Sequence, residues 1–190
     1  MAAPSWLTIP NAVSVVRLML IPLFIWLVAI DETGWAGVTL GVIGLTDWID
    51  GYLARRLDQV SEVGKFLDPL ADRIAVAVAV IAGLITNVLP GWLGWGIIIR
   101  EVLIVAGVFY GWTQGVRRID VRTMGKWATF LLYVAITGLY IGKGFDIDWL
   151  WGLMLVVGAI GLVLYYAVAV AYLGDMRQIA RARQAATDAE

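Results

Sequence analysis

Four aspartates lie within 26 residues of a strongly apolar chain, and their spacing predicts a shared site. Asp47 and Asp50 are three residues apart, and Asp68 and Asp72 are four residues apart. In a helix these spacings place each pair on one face, about 60° and about 40° apart around the axis. The chain contains no histidine and no cysteine, so the site offers oxygen ligands only. Such a donor set suits a hard divalent cation: Mg2+, Mn2+ or Ca2+.

The missing residue types also narrow the chemistry. Without histidine and cysteine there are no disulfides, no thiol nucleophiles, no histidine general bases and no zinc sites of the usual ligand types. The net charge of -1 argues against a nucleic-acid partner, because binding to a phosphate backbone requires a clustered basic surface. Any catalysis therefore depends on carboxylates, basic side chains or bound metal.

The elements that hold these carboxylates are predicted to be membrane-spanning helices. The hydrophobic fraction is 61%, whereas soluble domains have roughly 45 to 50% apolar residues. Six apolar segments have the length of about 18 to 25 residues that crosses a hydrocarbon core as a helix. They cover residues 13–30, 35–57, 69–89, 91–112, 124–142 and 149–173. The predicted fold is an all-α integral membrane protein with six transmembrane helices in one domain, residues 1–175.

Basic residues are distributed unevenly between the two sides of these segments. Ten lie in the connections of one side and after the last segment, against Lys143 alone on the other side. This asymmetry predicts that both termini and the aspartate-rich loop are cytoplasmic. The first apolar segment has no preceding basic stretch and no small-residue cleavage site, so we expect it to be retained. The polar tail, residues 176–190, either continues the last helix along the membrane surface or is solvated, and we expect its final six residues to be solvated.

The second apolar segment is interrupted by Asp47 after only eleven apolar or small residues, 35–45. An ionised carboxylate at membrane depth costs about 2.5 to 3.5 kcal/mol on insertion scales, so water, a partner or a metal must offset it. A purely structural alternative places Asp68 and Asp72 in the first turns of a helix with Pro69 near its start, where the helix dipole stabilises negative charge. That alternative leaves Asp47 unexplained.

Small and basic residues between the aspartates are suited to a nucleotide. Gly51, Ala54 and Gly64 leave room for a flat base or a diphosphate against helix backbone. Arg55 adds a guanidinium that can bind a phosphate. The segment therefore predicts a polar cavity for metal and nucleotide at the cytoplasmic side.

With these residues the chain resembles the CDP-alcohol phosphatidyltransferases. The motif Asp-x2-Asp-Gly-x2-Ala-Arg-x8-Gly-x3-Asp-x3-Asp is matched at every fixed position from residue 47 to residue 72. The resemblance extends to the six-helix layout and to the opening IPNAVSVVR, where Asn11 and Arg17 match recurrent positions. Such enzymes transfer a phosphatidyl group from CDP-diacylglycerol to an alcohol and release CMP.

The resemblance implies a role for each motif residue. One or two Mg2+ or Mn2+ ions would be bound by Asp47, Asp50, Asp68 and Asp72, and Asp72 would also be the general base for the acceptor hydroxyl. The cytidine nucleotide would be accommodated by Gly51, Ala54 and Gly64, and a donor phosphate would be bound by Arg55. The implied partners are CDP-diacylglycerol, CMP, a glycerol-type acceptor lipid or phosphate, and the lipids of a bacterial cell membrane.

Basic residues after the motif are candidates for binding an acceptor phosphate. They are Arg73, Arg100, Arg118, Arg122 and Lys126. The positive-inside rule by itself also accounts for those in the connection near residue 120. Arg100 is different because it lies in mid-segment beside Glu101. Adjacent helical residues point about 100° apart, so we expect each to have its own partner inside the bundle and Arg100 to border the polar cavity.

The stretches IPN, KFLDPLADR and IIIRE resemble the glycerol branch, which comprises phosphatidylglycerophosphate synthases and cardiolipin synthases of the CDP-alcohol type. Synthases that use glycerol 3-phosphate commonly show a GK-x-KT-x-x-Q run. This chain keeps Gly125, Lys126 and Thr129 of that run but has Ala128 for the second lysine and Leu132 for the glutamine. This favours phosphatidylglycerol as acceptor, which gives cardiolipin, over glycerol 3-phosphate and then inositol phosphate.

Two further interpretations concern the whole chain. A cation transporter would distribute its acids along a path through several segments, whereas these acids are concentrated at one end. Three glycine repeats, at residues 37–41, 107–115 and 138–142, allow helices to approach closely, either within the chain or in a homodimer.

Overall fold

The computed structural model describes residues 9–57, 62–113 and 123–187, all in helices and short connections, with no strand in those ranges. The helices are α1 (Ile9–Ala29), α2 (Thr33–Leu57), α3 (Glu62–Ile85), α4 (Gly91–Thr113), α5 (Thr123–Gly144) and α6 (Asp148–Thr187). Side chains are described for residues 15–46, 73–107 and 125–170. Within these ranges the predicted all-α architecture with six helices is confirmed.

Three short connections, 30–32, 86–90 and 145–147, lie together at one end of the bundle, which we call the far end. The ring of Phe145 packs edge-on against Trp35, and the Trp151 indole donates to the Val88 carbonyl. The opposite end, with the C-terminal part of α2 and the N-terminal part of α3, is the site end.

Each far-end connection contains one residue in the left-handed conformation: Asp31, Asn87 or Asp146. These residue types tolerate positive φ better than others because their short polar side chains bond locally. Backbone amides beyond the turn bond back to the preceding helix, as from Glu32 to Leu27 and from Ile147 to Gly142. The helices are thereby capped and reversed within three to five residues.

Helix α5 packs against both α2 and α6, and glycines allow the close approach. A Cβ atom at Gly37 would stand 2.7 Å from the Ile141 backbone nitrogen, and one at Gly142 would stand 2.8 Å from the Trp151 nitrogen. The repeats at 37–41 and 138–142 are thus used within the chain. Gly107 has nothing within 4 Å of its Cβ position, so its repeat has no such contact at this residue.

Tyrosine hydroxyls provide polar links between helices of this apolar bundle. Tyr140 of α5 donates to the Ala79 carbonyl of α3 at 2.8 Å, and Tyr166 of α6 donates to the Gly96 carbonyl of α4 at 2.9 Å. Each hydroxyl thus has an acceptor where water is scarce, as a buried phenol requires. These bonds fix the relative positions of neighbouring helices.

Among the described residues, one helical segment, Asp148–Val170, is both long and apolar enough to cross a membrane. Shorter apolar segments are Val15–Ala29, Thr33–Thr46 and Arg73–Ile85. Large apolar side chains remain exposed along α4, including Ile99 at 50% and Val102 at 61%. Exposed apolar surface of this extent is typical of contact with lipid or another apolar partner.

Two helix limits differ most from those predicted. The apolar segment predicted from residue 69 is part of a longer helix: α3 begins at Glu62, and three of its first seven residues are charged. Pro69 is therefore the eighth residue of α3 rather than near its start. At the other terminus α6 continues to Thr187, three residues into the stretch that we expect to be solvated.

Candidate functional site

The motif aspartates lie at matching depths on two helices joined by a short connection. Asp47 lies ten residues before the end of α2, and Asp72 lies ten residues after the start of α3. Asp50 and Asp68 lie seven and six residues from the same two helix limits. At a rise of about 1.5 Å per residue, the outer pair is roughly 15 Å from the connection on both helices. In antiparallel helices Asp47 is therefore level with Asp72, and Asp50 is level with Asp68 about one turn nearer the connection.

This position weakens the purely structural explanation of Asp68 and Asp72. The favourable effect of a helix dipole decays within the first turn. Asp68 is the seventh residue of α3 and Asp72 is the eleventh, so neither lies in that turn. The helix dipole therefore does not account for these two acidic residues.

The side chains of the predicted metal and nucleotide residues lie outside the described residues. These residues are Asp47, Asp50, Gly51, Ala54, Arg55, Gly64, Asp68 and Asp72, all of them helical in backbone. Among the side chains that are described, no group of three or more acidic residues could hold a metal. The assignment of metal ligands, nucleotide contacts and the general base to the motif stays a prediction.

An apolar layer formed by three helices lies next to the aspartates, on their far-end side. Ile21 of α1, Ile43 of α2 and Ala75 of α3 are buried against one another. One turn nearer the site end, the same faces carry Arg17, Asp47 and Asp72. Arg17 is wholly buried, with 0% of its surface exposed. A buried arginine thus lies at the level of two motif aspartates.

Helix α5 contacts α2 one turn from Asp47, toward the far end. The Tyr133 hydroxyl donates to the Leu40 carbonyl at 2.5 Å. Its ring occupies the space that a Cβ atom at Gly44 would need. Gly44 and Asp47 are three residues apart on one face of α2, so this contact sets the position of the turn that carries the first aspartate.

Arg100 and Glu101 do not have separate partners as predicted; they pair with each other and with Tyr165. Arg100 Nη1 lies 3.0 Å from Glu101 Oε1, and its guanidinium carbon lies 3.0 Å from the centre of the Tyr165 ring. The Tyr165 hydroxyl donates to the same carboxylate oxygen. Although the two Cα positions are about 100° apart on α4, long side chains close that gap, and α6 supplies the aromatic partner. The group forms a polar clamp between α4 and α6.

The other acceptor candidates differ in accessibility. Arg73 in α3 and Lys126 in α5 are exposed, and Arg100 is 8% exposed within the clamp. Arg118 and Arg122 lie in 114–122, outside the described residues. Of the acceptor candidates with described side chains, Arg73 and Lys126 are therefore the accessible ones.

The two replaced positions of the GK-x-KT-x-x-Q run belong to the buried core. Ala128 is 0% exposed and Leu132 is 4% exposed, and both pack in the main apolar cluster. Lys126, two residues before Ala128, is exposed. A lysine or glutamine at the replaced positions would bury a polar group where this chain has closed apolar packing.

The contacts of Tyr133 and Tyr165 could not be predicted from the sequence, because tyrosines in apolar segments resemble ordinary core residues. Their signal is spatial: one faces a glycine of α2, and the other faces an Arg-Glu pair of α4. The burial of Arg17 was equally hidden, although a charged residue inside an apolar segment is a general indication of function.

The chain is similar to known proteins over most of its length. Residues 7–173 match the family model described as CDP-alcohol phosphatidyltransferase. The chain is 35% identical to the cardiolipin synthase (CMP-forming) of Streptomyces coelicolor, over 95% of this chain and 87% of that protein. It is 36% identical to a putative cardiolipin synthase of Mycobacterium tuberculosis, over 72% of this chain and 66% of that protein.

A third relative carries a different acceptor in its name. The CDP-diacylglycerol--glycerol-3-phosphate 3-phosphatidyltransferase of Shigella flexneri is 32% identical over 93% of this chain and 95% of that protein. The family match covers all six helices up to the last part of α6 and includes the aspartate motif. The chain belongs to the CDP-alcohol phosphatidyltransferase family, a family of membrane enzymes of phospholipid synthesis.

Proposed function

We propose that this enzyme transfers the phosphatidyl group of CDP-diacylglycerol to phosphatidylglycerol, giving cardiolipin and CMP. The observation that carries the choice of acceptor is the burial of Ala128 and Leu132 at the positions of the second lysine and the glutamine of the glycerol 3-phosphate run. The match to a protein named cardiolipin synthase over 95% of this chain supports the same choice.

The metal site fits the residues that the motif provides. Four aspartates within about three turns of the site ends of α2 and α3 would provide an oxygen-only donor set, which suits Mg2+ or Mn2+. One or two such ions, bound by Asp47, Asp50, Asp68 and Asp72, would supply positive charge against the donor diphosphate and the departing CMP.

The protein's own groups then account for binding and proton transfer. Gly51, Ala54 and Gly64 leave backbone surface for the cytidine nucleotide, and Arg55 binds a donor phosphate. Asp72 accepts the proton of the acceptor hydroxyl while the oxygen of that hydroxyl bonds to the phosphorus that carries diacylglycerol. The bond from that phosphorus to the bridging oxygen breaks, and CMP leaves with the oxygen.

The membrane arrangement follows from charge and from the aromatic residues. All six helices span the bilayer, with both termini and the site end in the cytoplasm of a bacterial cell. Ten basic residues at the site end against Lys143 at the far end support this orientation. At the far end, Trp35, Trp92 and Trp149 begin α2, α4 and α6 and are 52 to 72% exposed, as residues of an interfacial belt would be.

A water-soluble acceptor is the second candidate. The relative from Shigella flexneri is named for glycerol 3-phosphate and covers nearly as much of the chain. The exposed Arg73 and Lys126 could bind the phosphate of such an acceptor. Because phosphatidylglycerol also has a phosphate, these two residues serve either acceptor and do not separate them.

The test is an assay of purified enzyme in detergent with CDP-diacylglycerol and Mn2+. Phosphatidylglycerol, glycerol 3-phosphate and inositol phosphate are supplied in separate reactions, and CMP and the lipid product are measured. We expect cardiolipin from the first reaction and no product from the other two. Phosphatidylglycerophosphate as the main product would contradict the proposed acceptor, and absence of CMP in every reaction would contradict the proposed function.

A further inference from the structure

Arg17 is the largest side chain among the fully buried residues that the structure describes. It lies in α1, which packs mainly against α2 and α3. Removing a guanidinium from water costs several kcal/mol unless a carboxylate and hydrogen bonds compensate it. The compensating group must therefore lie on the helices around Arg17.

The depth of Arg17 limits which acidic residues can compensate it. The acids of the first connection, Asp31 and Glu32, lie 14 and 15 residues further along the chain at the far end, roughly 20 Å away. The layer of Ile21, Ile43 and Ala75 separates Arg17 from that end. Toward the site end, the acids at the level of Arg17 are those of the aspartate motif.

The register of the three helices brings Arg17 to two of these acids. Arg17 lies four residues before Ile21, Asp47 four residues after Ile43, and Asp72 three residues before Ala75. Spacings of three and four residues keep each pair on one helix face and advance it by about one turn, roughly 5 to 6 Å. Arg17, Asp47 and Asp72 thus form the next layer above the apolar one.

We propose that Arg17 is a positioning residue for the carboxylate cluster. Its buried charge holds the mutually repelling carboxylates together before a divalent cation binds, and it shares with the cation the neutralisation of the same groups. Arg17 acts through these carboxylates and has no accessible surface for substrate. The inference rests on the proposed metal site and adds a residue outside the aspartate motif to it.

The charge balance gives a measurable coupling between Arg17 and the metal. If both neutralise the same carboxylates, loss of Arg17 destabilises the metal-free protein more than the metal-bound protein. The rise in unfolding temperature caused by Mn2+ should then be larger in Arg17→Gln than in the wild type. An arginine that is only structural would lower both temperatures equally.

The experiment measures thermal unfolding in detergent with EDTA and with excess Mn2+. We expect Arg17→Gln to increase the Mn2+-induced rise by about 3 °C or more, and Arg17→Lys, which keeps the charge, to respond as the wild type does. Arg100→Gln is the matched control: another buried arginine is removed, and the Mn2+-induced rise stays at the wild-type value. An equal rise in Arg17→Gln and the wild type would overturn the proposal.

The controls distinguish failure of the proposed metal site from failure of the Arg17→Gln variant to fold. If the wild type shows no Mn2+-induced rise, the metal site itself is absent and both proposals fall. If Arg17→Gln does not fold, Arg17→Gln is combined with Asp47→Asn and, separately, with Asp72→Asn, each of which restores the charge balance. Recovery of folded protein in either double variant supports the pairing, and recovery in neither contradicts it.

Discussion

The two ends of the bundle are built for different tasks. At the far end, connections of three to five residues carry left-handed Asp or Asn residues, and glycines bring α5 against the backbones of α2 and α6. At the site end, α2 and α3 carry four aspartates at matching depths, and α1 carries the buried Arg17 one turn from Ile21 toward the same end. The difference indicates that close packing maintains the fold at one end, while the charged residues of the motif are concentrated at the other end, where we propose the catalytic site.

This contrast separates stability from turnover. Substitutions that disturb packing should lower the unfolding temperature and leave the metal and acceptor dependence of the surviving activity unchanged. Substitutions of the motif aspartates should change the metal and acceptor dependence of activity and leave the unfolding temperature nearly unchanged. The clamp of Arg100, Glu101 and Tyr165 provides a strict test, because its residues are charged like those of the site but are paired with one another.

Removal of Arg100 should have the largest effect on stability. Arg100→Met removes the cation that pairs with Glu101, whose side chain is 38% exposed, and the contact with the Tyr165 ring, and these losses together should cost about 3 kcal/mol. In a chain of this size that lowers the unfolding temperature by roughly 10 °C. Adding Glu101→Gln should recover part of the loss. A stable Arg100→Met enzyme with a raised KM for the acceptor would instead assign Arg100 to acceptor binding.

A methyl group at Gly37 should have the next largest effect. In Gly37→Ala the new Cβ would lie 2.7 Å from the Ile141 nitrogen, so α2 and α5 must separate. Overpacking of this kind costs about 1 to 3 kcal/mol, which is measured as a fall of several degrees in the unfolding temperature. The control is Gly152→Ala, because nothing lies within 4 Å of that Cβ position. An equal response of both variants would refute the role of the glycine contact.

Loss of a single tyrosine hydroxyl should have the smallest effect on stability. Tyr133→Phe and Tyr166→Phe each remove one hydrogen bond to a helix carbonyl, worth about 1 kcal/mol. Both should lower the unfolding temperature by a few degrees. Only Tyr133→Phe should also lower turnover, since Tyr133 contacts the turn of α2 just before Asp47. Equal turnover in the two variants would remove Tyr133 from the support of the site.

Much of the fold could be predicted because each long apolar segment of the sequence corresponds to one helix. The start of α3 could not, since three charged residues interrupt the apolar pattern of its first seven residues and Pro69 resembles a helix start. The aspartate motif was evident from spacing and residue type. The pairing of Arg100 with Glu101 was not, because it depends on flexible side chains and on Tyr165, which is 64 residues away from Glu101 along the chain. Tertiary contacts of this kind leave no local pattern.

The most direct test of the central claim compares two aspartates of the same polar stretch. CMP release from CDP-diacylglycerol and phosphatidylglycerol is measured with Mn2+ for the wild type, Asp72→Asn and Asp58→Asn, with unfolding temperatures of the same samples. Asp72 belongs to the motif and Asp58 does not. We predict that Asp72→Asn lowers turnover by about 10²- to 10⁴-fold in folded protein, and that Asp58→Asn stays near the wild type. Wild-type turnover in Asp72→Asn would contradict the assignment of the catalytic site to the aspartate motif.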